Sequence, residues 1–144
     1  MSPWPQETLL HGRLSAIKGS HARLAWVVER ARHLPPFSHG ERVDANLVEG
    51  CLSQLWLRAS IADVRCVFQC DSDSLIVKGI GSLICESCSG RLPVEIVARR
   101  NEPPLLTTSF ASVLTQNRRN GLLLLWGQIV VFARAQVSDL VTSP

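Results

Sequence analysis

Between residues 20 and 34 the apolar positions Leu24, Val27, Val28 and Ala31 recur at helical spacing, with Glu29, Arg30 and Arg32 between them. That period predicts an amphipathic helix over Ser20 to Leu34. Leu34-Pro35-Pro36 stops it, Pro36-Phe37-Ser38-His39-Gly40 is turn chemistry, and Glu41–Asn46 is polar and charged. Ser53 to Ala59 and Val64 to Gln69 then read as strands rich in Leu, Trp, Val and Phe, joined by a short connection at Ala62-Asp63 into an antiparallel hairpin. Asp71-Ser72-Asp73 suits the start of a helix whose stripe is Ile76, Ile80, Leu83 and Ile84, and Gly90 closes it. Pro93 opens a short helix to Arg99, Pro103-Pro104 breaks the chain, and from Arg118 or Arg119 to about Val137 the pattern is nearly all apolar. In a soluble protein such a helix is packed on much of its circumference. The order predicts an α+β domain, helices covering one face of a small antiparallel sheet.

Composition narrows this picture. A chain of 144 residues is one domain's worth and buries about 68–70% of its unfolded surface, enough for a core without staples. Hydrophobic residues at 46% and charged residues at 19% exclude disorder. A net charge of +3, with basic residues scattered, argues against a nucleic-acid footprint. Met1-Ser2-Pro3-Trp4-Pro5 lacks the basic region and apolar run of a secretory signal. The apolar stretch from Leu122 to Ala133 is shorter than the ~20 residues of a membrane span. Five cysteines, an odd number, favour reduced thiols in a cytoplasmic setting over a disulfide framework.

The thiols divide by context. Cys51 sits in Val48-Glu49-Gly50-Cys51-Leu52-Ser53-Gln54-Leu55-Trp56-Leu57, between a glycine and a strand-like alternation, which holds it out on a loop. On local sequence alone, a small hydrophobe tucked at a strand start is an equal reading. Cys66, Cys70, Cys85 and Cys88 have spacings like those of a four-thiolate zinc site, and a zinc-stabilised binding module is the alternative function. Against it, the first pair lies on a predicted strand and the second within a predicted helix, where zinc knuckles do not form. Cys85-Glu86-Ser87-Cys88 ends its helix, whereas a reactive CxxC gains thiolate stabilisation at a helix N-terminus. A free-standing thiol enzyme using Cys51 with His39 is a third reading, weakened by their separation of twelve positions along a flexible chain.

Four motifs in order then carry a resemblance: Leu34-Pro35-Pro36; Asn46 to Leu57 around Gly50-Cys51; Asp71-Ser72-Asp73 with Ile76-Val77-Lys78-Gly79; and Arg118-Arg119-Asn120-Gly121-Leu122. Together they resemble the SufE/CsdE family of cysteine desulfurase-associated sulfur acceptors, over roughly Gly19 to Phe132. The resemblance implies a SufE/NifU-like fold with about three strands. It implies a single domain over residues 1–144, with about fifteen N-terminal and seven C-terminal residues peripheral. It implies that Cys51 takes persulfide sulfur from a Suf-type or Csd-type cysteine desulfurase, stimulates that enzyme, and passes the sulfur on to an iron–sulfur scaffold or another acceptor. The chain would then be an accessory carrier with no cofactor of its own, the pyridoxal phosphate belonging to the desulfurase, and would have the option of a homodimer. Gly50, Ser53, Gln54, Asp73 and Arg118 are the implied partner-binding residues. Departures are Leu52, where the family usually carries Gln or Glu, and Gln116-Asn117 in place of Pro-Ser.

Overall fold

The computed structural model describes residues 3–142, with side chains to residue 138. Its elements are α1 (Pro5–Ser15), α2 (Ser20–His33), a 3-10 turn (Asp44–Asn46), β1 (Leu55–Ala62), β2 (Arg65–Ser72), α3 (Leu75–Cys88), α4 (Pro93–Ala98) and α5 (Gln116–Thr142). The α+β class and the helix–hairpin–helix order are as the hydrophobic pattern predicts.

Among the described residues the sheet has two strands rather than about three. β1 and β2 pair antiparallel from Leu55↔Ser72 to Ala62↔Arg65, so the turn is Asp63-Val64, both with positive φ. Each strand runs about three residues beyond its predicted end, because pairing across the hairpin satisfies backbone groups whatever the local side-chain pattern. What remains of a third strand is one bridge, Leu47↔Trp56, with the Val48 N–H on the Leu55 carbonyl at 2.8 Å. The outer edge of β2 is covered by the turn that follows α3: Cys66 N–H meets the Arg91 carbonyl at 2.9 Å, and Gly90 N–H meets the Cys66 carbonyl at 2.8 Å.

The core lies where α3 crosses the sheet between α2 and α5. Ile80, Leu83 and Ile84 of α3 are fully buried against Leu55 and Phe68 from the strands and Leu122, Leu125 and Ile129 from α5. α2 approaches α3 at Gly79, where an added Cβ would lie 2.4 Å from Val27 Cγ1 and 2.7 Å from the Val27 carbonyl oxygen. Only a glycine permits that crossing.

By length and mean hydropathy, 1.4 over Gln116–Ser138, α5 would also pass for a membrane span, since the helix extends past the apolar stretch on both sides. Leu122, Leu125, Trp126, Ile129 and Ala133 form a buried stripe at helical spacing, and Trp126 Nε1 donates to the Arg100 carbonyl at 2.9 Å. One stripe of the helix is therefore packed into the core.

The N-terminal segment is not peripheral. Trp4, Glu7, Leu10 and Leu14 are buried, and the Glu7 carboxylate pairs with the buried Arg99 guanidinium at 2.5 Å. A buried ion pair between residues 92 positions apart leaves no local trace in the hydrophobic pattern. At the other end, the backbone is helical to Thr142, and the side chains beyond residue 138 lie outside the described residues.

Candidate functional site

Cys51 occupies a short loop held at both ends by backbone pairing. On one side Val48 N–H bonds to Leu55; on the other, Asp73 N–H meets the Gln54 carbonyl at 3.3 Å and the Asp73 carboxylate accepts Gln54 N–H at 3.1 Å. The Ser72 hydroxyl adds a 2.6 Å bond to the same Gln54 carbonyl. Between these clamps Gly50 has φ +92°, a left-handed conformation that side chains disfavour, and a Cβ there would sit 3.0 Å from Leu124 Cδ1 of α5. The residue before the thiol therefore turns the chain back against the helix.

The Cys51 thiol points at the start of α5. Its Sγ donates a long, weak hydrogen bond to the Gly121 carbonyl at 3.7 Å, and a Cβ on Gly121 would lie 3.3 Å from that sulfur. A small cleft of about 40 Å³ is lined by Cys51, Leu52, Ser53, Val77, Asn117, Arg118 and Gly121. Leu52 projects into solvent, 81% exposed, while Cys51 is half-buried. Burial pushes the Cys51 thiol above its ordinary pKa. The thiol is thus covered but within reach of the surface. The cover comes from α5 and Val77, whereas Leu55 and Trp56, which adjoin Cys51 in sequence, belong to the core.

Of the residues singled out from sequence, Cys51, Ser53 and Arg118 share this cleft, and Gly50 shapes its approach. The half-buried Arg118 side chain has no hydrogen-bond or ion-pair partner among the described residues, whereas its neighbour Arg119 donates to the Ala111 and Leu106 carbonyls. Arg119 is structural; Arg118 leaves a positive charge beside the thiol. Gln54 and Asp73 stand outside the cleft and act on each other as the loop's clamp. Capping of α3 falls to Ser74, whose hydroxyl accepts Val77 N–H at 3.3 Å. Asp71 does something the sequence did not suggest. Fully buried, its carboxylate accepts Phe37 N–H at 2.9 Å and Arg42 Nη2 at 2.8 Å, with Lys78 Nζ at 3.2 Å. Burial alone would raise its pKa, but the Phe37, Arg42 and Lys78 partners together hold it below the usual range. Arg42 also lies over the Trp56 ring, so this cluster fixes the polar segment that leads into the cysteine loop.

The other four thiols are all buried. Among the described residues no group of three or more His, Cys, Asp or Glu side chains is arranged to hold a metal ion. His39 is exposed, and the hydrogen-bond partner of Cys51 is a backbone carbonyl rather than an imidazole.

Residues 9–133 match the family model described as SufE: Fe-S metabolism associated domain. SufE-like protein 1, chloroplastic/mitochondrial, of Arabidopsis thaliana is 36% identical over 93 residues, 64% of this chain and 25% of that protein. An uncharacterized SufE-like protein of Synechocystis is 32% identical over 105 residues, 72% of this chain and 63% of its own length. The chain thus spans from a quarter to under two thirds of these relatives. In fold it is similar to the solution structure of a hypothetical protein from Thermus thermophilus, with a TM-score of 0.75, 16% identity and coverage of 95% and 99% of the two chains. With the family match running over most of its length and through the Cys51 loop, this chain belongs to the SufE family, whose domain is associated with iron–sulfur metabolism.

Proposed function

We propose that the protein is a sulfur acceptor that takes sulfane sulfur from a cysteine desulfurase onto Cys51, stimulates that enzyme by clearing its persulfide, and delivers the sulfur for iron–sulfur cluster assembly. The observation that carries this reading is that Cys51 alone among the five thiols escapes full burial, on a clamped loop beside an unpartnered arginine. In the transfer, the Cys51 thiolate attacks the outer sulfur of the donor's persulfide. The bond between the donor's two sulfurs breaks, its cysteine leaves as thiolate, and the sulfane sulfur stays on Cys51.

The raised pKa of the resting thiol keeps it protonated and quiet. On docking, Arg118 stabilises the thiolate and then the persulfide anion, and contacts the donor. Gly50 and Ser53 let the loop leave the cleft, and the Gln54–Asp73 clamp holds its base in place as it swings. The chain needs no cofactor for this role, since the pyridoxal phosphate belongs to the desulfurase. The setting is the cytoplasm, the partner a Suf-type or Csd-type enzyme, the recipient an iron–sulfur scaffold or another acceptor, and a homodimer is compatible with the role.

The test is intact mass after incubation with a desulfurase and cysteine. A gain of about 32 Da per sulfur, reversed by reductant, is expected for the native chain and absent for a folded Cys51→Ser variant. Cys85→Ala and Cys88→Ala should keep the gain, because both thiols are buried away from the Cys51 cleft. Sulfur on Cys51→Ser would overturn the assignment.

A further inference from the structure

The mouth of the Cys51 cleft carries apolar side chains that are open to solvent. Leu52 lines it and is 81% exposed, more than any other large apolar side chain among the described residues. It is also the one large apolar residue between Val48 and Leu55. Leu124 of α5 is 40% exposed and lies against the residue on the other side of the cysteine, its Cδ1 3.0 Å from where a Cβ on Gly50 would stand. Arg118, Gly121 and Leu124 follow one another at three-residue spacing and so share one face of α5. That face leads from an unpartnered positive charge, past the carbonyl that accepts from the thiol, to an apolar side chain.

A single leucine in water is ordinary on a protein surface. This one differs in what it is bonded to. Consecutive Cα atoms are about 3.8 Å apart, so a protein that takes Cys51 into its own site meets the Leu52 side chain as well. Burial there withdraws most of a leucine from water, which favours an apolar wall and disfavours a polar one that would be desolvated without a partner. A second copy of this chain would bring its own Arg118 toward this one, whereas a donor with negative charge at that point complements it. Resting on the sulfur-acceptor reading of Cys51, we propose that Leu52 is a specificity-determining residue: the sulfur donor receives this loop in an apolar socket beside its persulfide, with Leu124 completing the contact and negative charge facing Arg118. Cys51 supplies the chemistry and Leu52 the fit.

The native chain, Leu52→Gln and Leu52→Met are titrated into the cysteine desulfurase, Suf-type or Csd-type, that loads sulfur onto native Cys51, and alanine release from cysteine is followed. Leu52→Gln should raise the acceptor concentration for half-maximal stimulation about tenfold or more, the scale of one leucine side chain withdrawn from water, while the maximal rate stays within about twofold of native. The increase should persist in about 0.5 M salt, which screens exposed charge contacts but not an apolar one. Leu52→Met, which conserves volume and apolarity, should stay within about threefold of native. Iodoacetamide labelling of Cys51 in the isolated Leu52→Gln chain should match native, because the new side chain is uncharged and the thiol's cover comes from α5 and Val77. Normal loading of the native chain with an unchanged half-saturation for Leu52→Gln would overturn the proposal and leave Cys51 as the carrier. A fall in maximal rate alone would overturn it too, as would a native dimer in sedimentation that Leu52→Gln converts to monomer, since the second copy would then occupy this face. Native Cys51 that neither desulfurase type loads would overturn both the proposal and the reading beneath it.

Discussion

Replacing Gly121 by alanine tests whether α5 shelters the reactive thiol. The new Cβ would stand 3.3 Å from Cys51 Sγ and 3.9 Å from its Cβ, a contact that one side must relieve by a few tenths of an ångström. The helix is fixed by its buried stripe, whereas the sulfur sits on a short loop, so the loop gives way. Alanine within a helix is worth about 1 kcal/mol over glycine, which offsets the crowding. The melting temperature should therefore change by no more than about 4 °C. The thiol changes more. Its cover is a weak Sγ–H···O bond and a few apolar contacts, together about 1–2 kcal/mol, which slows alkylation of the native chain about five- to thirtyfold against a free thiol. Gly121→Ala should recover much of that factor, and Gly121→Val more. The alkylation profile should shift to lower pH as the desolvation that raises the Cys51 pKa is relieved. A persulfide on the variant should also be discharged faster by a small thiol. The assay is the rate of iodoacetamide labelling of Cys51 against pH. Unchanged rates in both folded variants, or a native thiol already as fast as free cysteine, would refute the shelter.

Three further outcomes follow from residues around the site. Asp71→Asn should cost about 3–5 kcal/mol in denaturant unfolding at neutral pH, since it leaves Lys78 and Arg42 facing an uncharged group. Because the folded pKa of Asp71 is lowered, its contribution is complete above about pH 5 and is lost as pH falls through that lowered value, so the gap between the two proteins should close in acid. Arg118→Glu should weaken desulfurase binding by about tenfold or more, measured by titration, and should slow iodoacetamide labelling of Cys51 at fixed pH, since a negative charge beside the thiol disfavours its thiolate. Zinc and iron in the purified protein should fall well below one equivalent, and a chelator should leave the circular dichroism unchanged; one equivalent lost together with the fold would favour the zinc module.

What the sequence discloses here follows the range of each interaction. α2, α3 and α5 are legible because the residues that bury them recur within a few positions of one another. The Cys51 loop is legible because glycine and strand alternation are local signals. The capping of α3 illustrates the limit: Asp71, Asp73 and Ser74 are all competent caps, and only the tertiary partners of the two aspartates leave the role to Ser74. Burial of Asp71 among Phe37, Arg42 and Lys78 depends on segments about thirty residues away, which periodicity does not sense. The shelter of Cys51 is similar. Gly121 reads as an ordinary small residue at the start of an apolar helix until the fold sets it against a sulfur seventy residues earlier.

The Glu7–Arg99 pair bears on where this domain can be cut. The family match begins at residue 9, which invites a shortened chain starting there. Such a chain would lose Trp4, whose ring lies 4.3 Å from the Arg99 guanidinium, and Glu7, the carboxylate that neutralises it. Arg99 would keep its place at the end of α4 with only the exposed Glu102 carboxylate, 3.9 Å from its Nε, to balance its charge, and with that nitrogen already lacking a hydrogen bond. Removing one member of a buried pair costs about 3–5 kcal/mol, a large part of what holds a domain of this size together. The folded domain therefore begins ahead of the matched segment, and a fusion or crystallisation boundary belongs ahead of Trp4.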